Sequence, residues 1–139
     1  MSALPVVQLT LVAAYAGVQW TIRALVYPQF ALVPPAAFSG YERRHQQRVS
    51  RVVGPLFAGQ VVTTGWLLVT RTTSAPVLTG AACLAVVLGV TGLIAVALHR
   101  RLDTGWDAAV HRRLLRVDTV RALAATAGTG AAVWLVLGG

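Results

Sequence analysis

Lysine is absent from this chain, acidic residues number four, and cysteine occurs once. The lone Cys83 rules out an internal disulfide framework and, set in an apolar run, reads as an inert buried thiol. Charged residues make up 12% of the 139 positions and hydrophobic ones 56%, against about 25% and about 45–50% in a soluble domain. So little charge cannot cover a water-facing surface, and lipid is the natural solvent for most of the molecule. There is no Cys-x-x-Cys, His-Glu-x-x-His, Gly-x-Ser-x-Gly or glycine-rich phosphate loop, so the chemistries those motifs announce have no footing. Met1-Ser2-Ala3-Leu4 carries no basic n-region and the following apolar run is too long for a leader, so no cleaved signal peptide is expected. Neither a repeat nor a low-complexity tract divides the chain, which reads as one domain.

All twelve basic residues are arginine, and the net charge is +8. That balance would suit nucleic acid, but the arginines stand in short clusters between apolar runs of membrane-spanning length. No nucleic-acid partner is expected. A span needs about 20 largely apolar residues, and segments 4–27, 52–69, 76–98 and 117–137 qualify. Pro28 should end the first, and Pro76 suits the start of the third. Loop 28–51 carries Arg43, Arg44, Arg48 and Arg51; loop 99–116 carries Arg100, Arg101, Arg112, Arg113 and Arg116; the second connection has Arg71 alone. The positive-inside rule then puts both rich loops in the cytoplasm. The expectation is an all-α, multi-pass four-helix bundle in a bacterial cytoplasmic membrane, surrounded by lipid, with both termini extracytoplasmic. Trp66 and Trp134 suit an outer aromatic belt. Ala81, Ala85 and Gly89, and Ala124, Gly128 and Ala132, form small-residue stripes along which helix backbones can approach. A homodimer is compatible with so small a bundle.

Polar residues inside spans are costly and usually face the bundle interior or a wet cavity. Tyr15, Gln19, Arg23 and Tyr27 recur every four residues on the first span and read as one wall of a substrate pocket, although Arg23 could also snorkel to the interface. Gln60 on the second span needs a partner, and Gln19 is the natural one. Asp118 and Arg121, three apart, can pair on one helix face; alternatively Arg121 points into the bundle.

Between His99 and Arg121 lie two of the three histidines, three of the four acids and six of the arginines. On a continuous helix His99, Asp103, Asp107 and His111 would share one side. With Tyr41, Glu42, His45 and Arg48 of the other rich loop they make a cytoplasmic polar cluster. Histidine titrates most readily near neutral pH, so His45 and His99 are the candidate acid–base pair, with Asp107 or Asp103 as the orienting carboxylate. Arg48 and Arg121 would stabilise a developing anion, and Tyr15, Gln19, Arg23, Tyr27, Tyr41 and Gln60 would bind the substrate. Glu42-x-x-His45 has a di-iron spacing, but four acids are too few for such a centre. No cofactor is required on this reading. The alternatives are haem between His45 and His99, or a single metal ion on His45, His99, His111 and Asp103.

Tyr27-Pro28-x-Phe30, Phe38-x-x-Tyr41-x-x-x-His45-x-x-Arg48 and Val52-Val53-x-Pro55 resemble a family of small four-span bacterial membrane proteins. His99-x-x-Leu102-x-x-Gly105-x-Asp107 and Arg121 match its second half. These proteins are similar to the anthrone-oxygenase-like membrane proteins, some of which accompany aromatic polyketide pathways. The resemblance implies a four-helix membrane fold and cofactor-free oxygenation of a lipophilic aromatic molecule, with Tyr27, Tyr41, His45, Arg48, His99, Asp107 and Arg121 as the positions carried over. Where the family pattern places an Asn-Trp pair just before the arginine, this chain has Asp118-Thr119.

The functional expectation is therefore a membrane-embedded enzyme acting on a lipophilic small molecule by His/Arg-assisted acid–base chemistry: an oxygenase, isomerase or cyclase. A haem- or metal-binding redox protein is one alternative. A non-catalytic lipid-binding or partner subunit is the other.

Overall fold

The computed structural model describes residues 3–138. Met1, Ser2 and Gly139 lie outside the described residues, so the part of the leader reading that rests on the first two has no structural counterpart. Four helices are long and apolar enough to cross a membrane: α1 (Ala3–Leu32), α2 (Pro35–Thr70), α3 (Ala75–Leu102) and α4 (Ala108–Val136). The chain is an all-helical membrane protein by their length and composition. Over an 18-residue membrane-crossing window mean hydropathy is 2.6 in α3 but 1.3 in α1 and α4, the two helices that share most of the polar interior.

The helices run past the expected spans. α2 has 36 residues, roughly 54 Å at 1.5 Å per residue, where a hydrocarbon core needs about 30 Å. Most of the expected loop 28–51 is therefore helix, begun by Pro35, whose missing N–H is harmless at a first turn. Connections shrink to residues 33–34, 71–74 and 103–107. Nor does Pro28 stop α1: the backbone stays helical to Leu32. The i→i−4 ladder is already interrupted just before it by a π turn at Ile22–Val26, so the proline removes little. The helix does break between Leu102 and Ala108, where Gly105 has φ +143°, a backbone region that favours glycine. That break overturns the single-helix register expected for His99, Asp103, Asp107 and His111.

Each helix packs against its two neighbours around the bundle, and α4 packs on α1 and α3 more densely than α2 packs on α3. Leu67, Val77 and Leu135 meet beside Leu4 at the end that carries both chain ends. Tyr27, Phe30, Phe38, Leu98, Leu102 and Leu114 fill the other, arginine-bearing end. Of the small-residue stripes, α4 uses its own: a Cβ on Gly128 would lie 3.4 Å from that of Cys83. On α3 the close line runs through Gly80 and Cys83, while Ala85 is exposed.

Two π turns set the register of the interior. Tyr27 follows Gln19 by eight residues, about 80° off its face in an uninterrupted α-helix. The extra residue absorbed at Ile22–Val26 brings the two to within about 20°, and both are buried. A second π turn, Thr91–Ala95 on α3, does the same for Val87 and Ala95, both buried.

Candidate active site

At the arginine end, three side chains from three helices form a hydrogen-bonded chain. The wholly buried Glu42 of α2 meets Nδ1 of His99 on α3 through its Oε1. Nε2 of His99 lies 3.0 Å from the phenol of Tyr27 on α1. Gln46, one turn after Glu42, donates to Glu42 Oε1 at 3.1 Å and to Asp103 Oδ1 at 2.7 Å, so its amide holds both carboxylates. Both bonds to Glu42 fall on Oε1, and Oε2 is buried without a partner.

Deeper in the bundle lies a second network. Tyr15 donates to Gln19 Oε1 at 2.9 Å, and Gln19 donates to Asp118 Oδ1 at 2.6 Å. Arg121 donates to the same oxygen at 3.0 Å and to the Tyr15 hydroxyl at 3.4 Å. Both readings of Arg121 hold together: it pairs with Asp118 along α4, and it points inward. A buried ion pair depends on satisfying its remaining valences; Gln19 and Tyr15 supply two of them, while Asp118 Oδ2 and Arg121 Nε are buried without a partner.

A cavity of about 240 Å³ is lined by members of both networks. Tyr27, His99, Gln19 and Arg121 supply its polar wall; Val53, Phe57 and Ala95 are among its apolar lining. Each π turn contributes to it, through Ile22 and through Thr91 and Ala95. π turns recur at functional sites because they redirect side chains without ending a helix. An apolar cavity of about 150 Å³ accepts benzene, so this one suits a small ring system.

The other expected site residues fall elsewhere. Asp107 caps α4, its Oδ1 accepting from the N–H groups of Ala109 and Val110 at 2.8 and 3.1 Å. The carboxylate that orients His99 is Glu42. His111 is buried and donates from Nε2 to the Tyr27 carbonyl at 2.7 Å, with its ring against Trp106 and Phe30. His45 stacks on His99 with ring centroids 6.1 Å apart and exchanges no hydrogen bond with it. Arg23 donates to Thr119 on α4 at 2.8 Å and forms no part of the cavity wall. Gln60 does not reach Gln19, whose two polar atoms are taken by Tyr15 and Asp118; its Nε2 is buried without a partner. Tyr41 and Arg48 line a separate outer groove with His45.

Among the described residues no three of His, Cys, Asp and Glu converge to hold a metal ion. Both nitrogens of His99 are already engaged by Glu42 and Tyr27, so a metal or haem iron there would have to displace one of them.

Sequence reasoning overlooked Gln46 and gave Glu42 no role beside His99. The signal was there: Glu42, Val49, Leu56 and Thr63, and Gln46, Val53, Gln60 and Leu67, are two interleaved seven-residue repeats, all buried or half-buried. Such a stripe marks the inward face of one long helix. Reading 28–51 as a loop hid it. No family model matches the chain, nor does any curated protein or solved structure.

Proposed function

We propose that this chain is a membrane-embedded enzyme that removes and returns a proton on a lipophilic small molecule held between its helices. The observation that carries the reading is the Glu42–His99–Tyr27 chain, whose phenol forms part of the polar wall of a cavity otherwise lined by apolar side chains. With His99 Nδ1–H donated to Glu42, Nε2 accepts from the Tyr27 hydroxyl, giving a carboxylate–imidazole–hydroxyl relay. Tyr27 Oη then takes a proton from a substrate O–H or activated C–H while its own proton passes to His99 Nε2. The electron pair stays on the substrate as a phenolate or enolate, and the Arg121 guanidinium, which lines the same cavity, stabilises that charge. Returning the proton to a different atom completes a tautomerisation. In the oxygenation implied by the anthrone-oxygenase resemblance, the same carbanion would meet dioxygen directly. No bound cofactor enters this scheme.

The arginine end faces the bacterial cytoplasm on this reading, with both termini outside, because nine of the twelve arginines cluster there and arginine is retained on that side. Lipophilic substrate reaches the cavity from the bilayer between α2 and α3, the loosely packed pair.

The test uses the full chain in lipid nanodiscs with anthracen-9-one, following deuterium uptake at its acidic methylene by NMR. Exchange above that of empty nanodiscs is expected, lowered about a hundredfold or more by Tyr27→Phe or His99→Gln at unchanged folded yield. Parent-like exchange in both variants, or none above background in the parent, would overturn the proposal.

A further inference from the structure

A second recess lies outside the bundle between α1 and α2: an open groove of about 520 Å³ at the arginine end. It is separate from the internal cavity, sharing only the wall formed by Ile22 and Val49. Its two halves differ sharply. Arg44, His45 and Arg48, with Tyr41, line one half; Val18, Val26 and Val52 line the other. Arg44 and Arg48 are four residues apart and share a helix face. Among the described residues the only ion pairs are His99–Glu42 and Arg121–Asp118, so both groove arginines are without a carboxylate. The His45 ring closes the floor between them, packed inward on Tyr27, Phe30 and His99. No acidic residue lines the groove.

We propose that this groove is a specific site for a phospholipid with an anionic headgroup. The Arg44 and Arg48 guanidinium groups receive the phosphodiester, whose oxygens satisfy several donors at once. The absence of acid from the lining disfavours a zwitterionic headgroup, whose ammonium would find no counter-charge. From Val26 to Val18 the apolar half extends about 12 Å along α1, running from the charged end toward the bundle centre, the direction an acyl chain takes. This inference is independent of the reaction proposed above, since the Tyr27–His99 pair faces the other side of the shared wall.

The test is native mass spectrometry of the detergent-solubilised full chain, offered phosphatidylglycerol and phosphatidylcholine of identical acyl chains in equal amounts. Retention of phosphatidylglycerol about tenfold above phosphatidylcholine is expected, equivalent to about 1.4 kcal/mol. The double variant Arg44→Gln/Arg48→Gln is expected to reduce the ratio to near one. Arg43→Gln/Arg51→Gln removes the same charge outside the groove and should leave the preference intact. Val52→Trp, which obstructs the apolar half at constant charge, should lower retention. Three outcomes would overturn the proposal: equal retention of the two lipids by the parent, equal loss in the two double variants, or displacement of the lipid by inorganic phosphate alone. The last would make the site a plain anion site.

Discussion

The Oε1 of Glu42 is hydrogen-bonded to Nδ1 of His99, a residue fifty-seven positions later on a different helix. No water-exposed surface separates them: Glu42 is wholly buried and the His99 side chain is 12% exposed. A carboxylate so placed sets the imidazole tautomer and supports a positive charge on the ring. Glu42→Gln keeps the shape but removes that charge. It is expected to cut deuterium exchange into anthracen-9-one about a hundredfold or more while the chain still folds. Parent-like exchange would remove Glu42 from the relay.

Asp118 and Arg121 test a different property, the cost of an unpaired charge in the interior. The Asp118 side chain is fully buried and that of Arg121 is 8% exposed. Asp118→Ala leaves the guanidinium without its counter-ion and should destabilise the fold by about 3–5 kcal/mol, measured by thermal or denaturant unfolding in detergent. Asp118→Leu combined with Arg121→Leu removes both charges and should recover most of that stability, because apolar replacements of a buried pair are tolerated. The double variant should still lose turnover, since the anion-stabilising group at the cavity is gone.

Asp107 separates capping from catalysis. Asp107→Ala removes the acceptor for two α4 backbone donors and is expected to cost about 1 kcal/mol of stability, whereas Asp107→Asn, also a good cap, should cost little. Neither should change exchange per folded molecule. Loss of exchange in both variants at equal folded fraction would return Asp107 to the chemistry.

Features that depend on neighbours within one helical turn were legible from residue order. Four apolar runs in a chain with four acids require four lipid-facing helices, and Asp118 and Arg121 pair because three residues separate them. The chemistry-bearing types were legible too: His99, Tyr27, Gln19 and Arg121 stand out as polar groups in apolar surroundings, and all four line the cavity.

Which helices meet was not legible. Gln19 binds Asp118, ninety-nine positions away, rather than Gln60, because the inner face of α1 at that level turns toward α4. Nothing local to Gln19 encodes that choice; it follows from the close fit of α4 against α1 and α3. The register beyond the π turns was equally hidden. A spacing of four suggested that Arg23 shares a wall with Gln19 and Tyr27, but the residue absorbed at Ile22–Val26 keeps Tyr27 on that wall while Arg23 bonds to Thr119. Residue order alone determined that this chain is four membrane helices with a polar interior. Tertiary packing decided the partner of each polar group, because a buried hydrogen bond between helices needs a crossing point and a rotation that neither helix specifies alone.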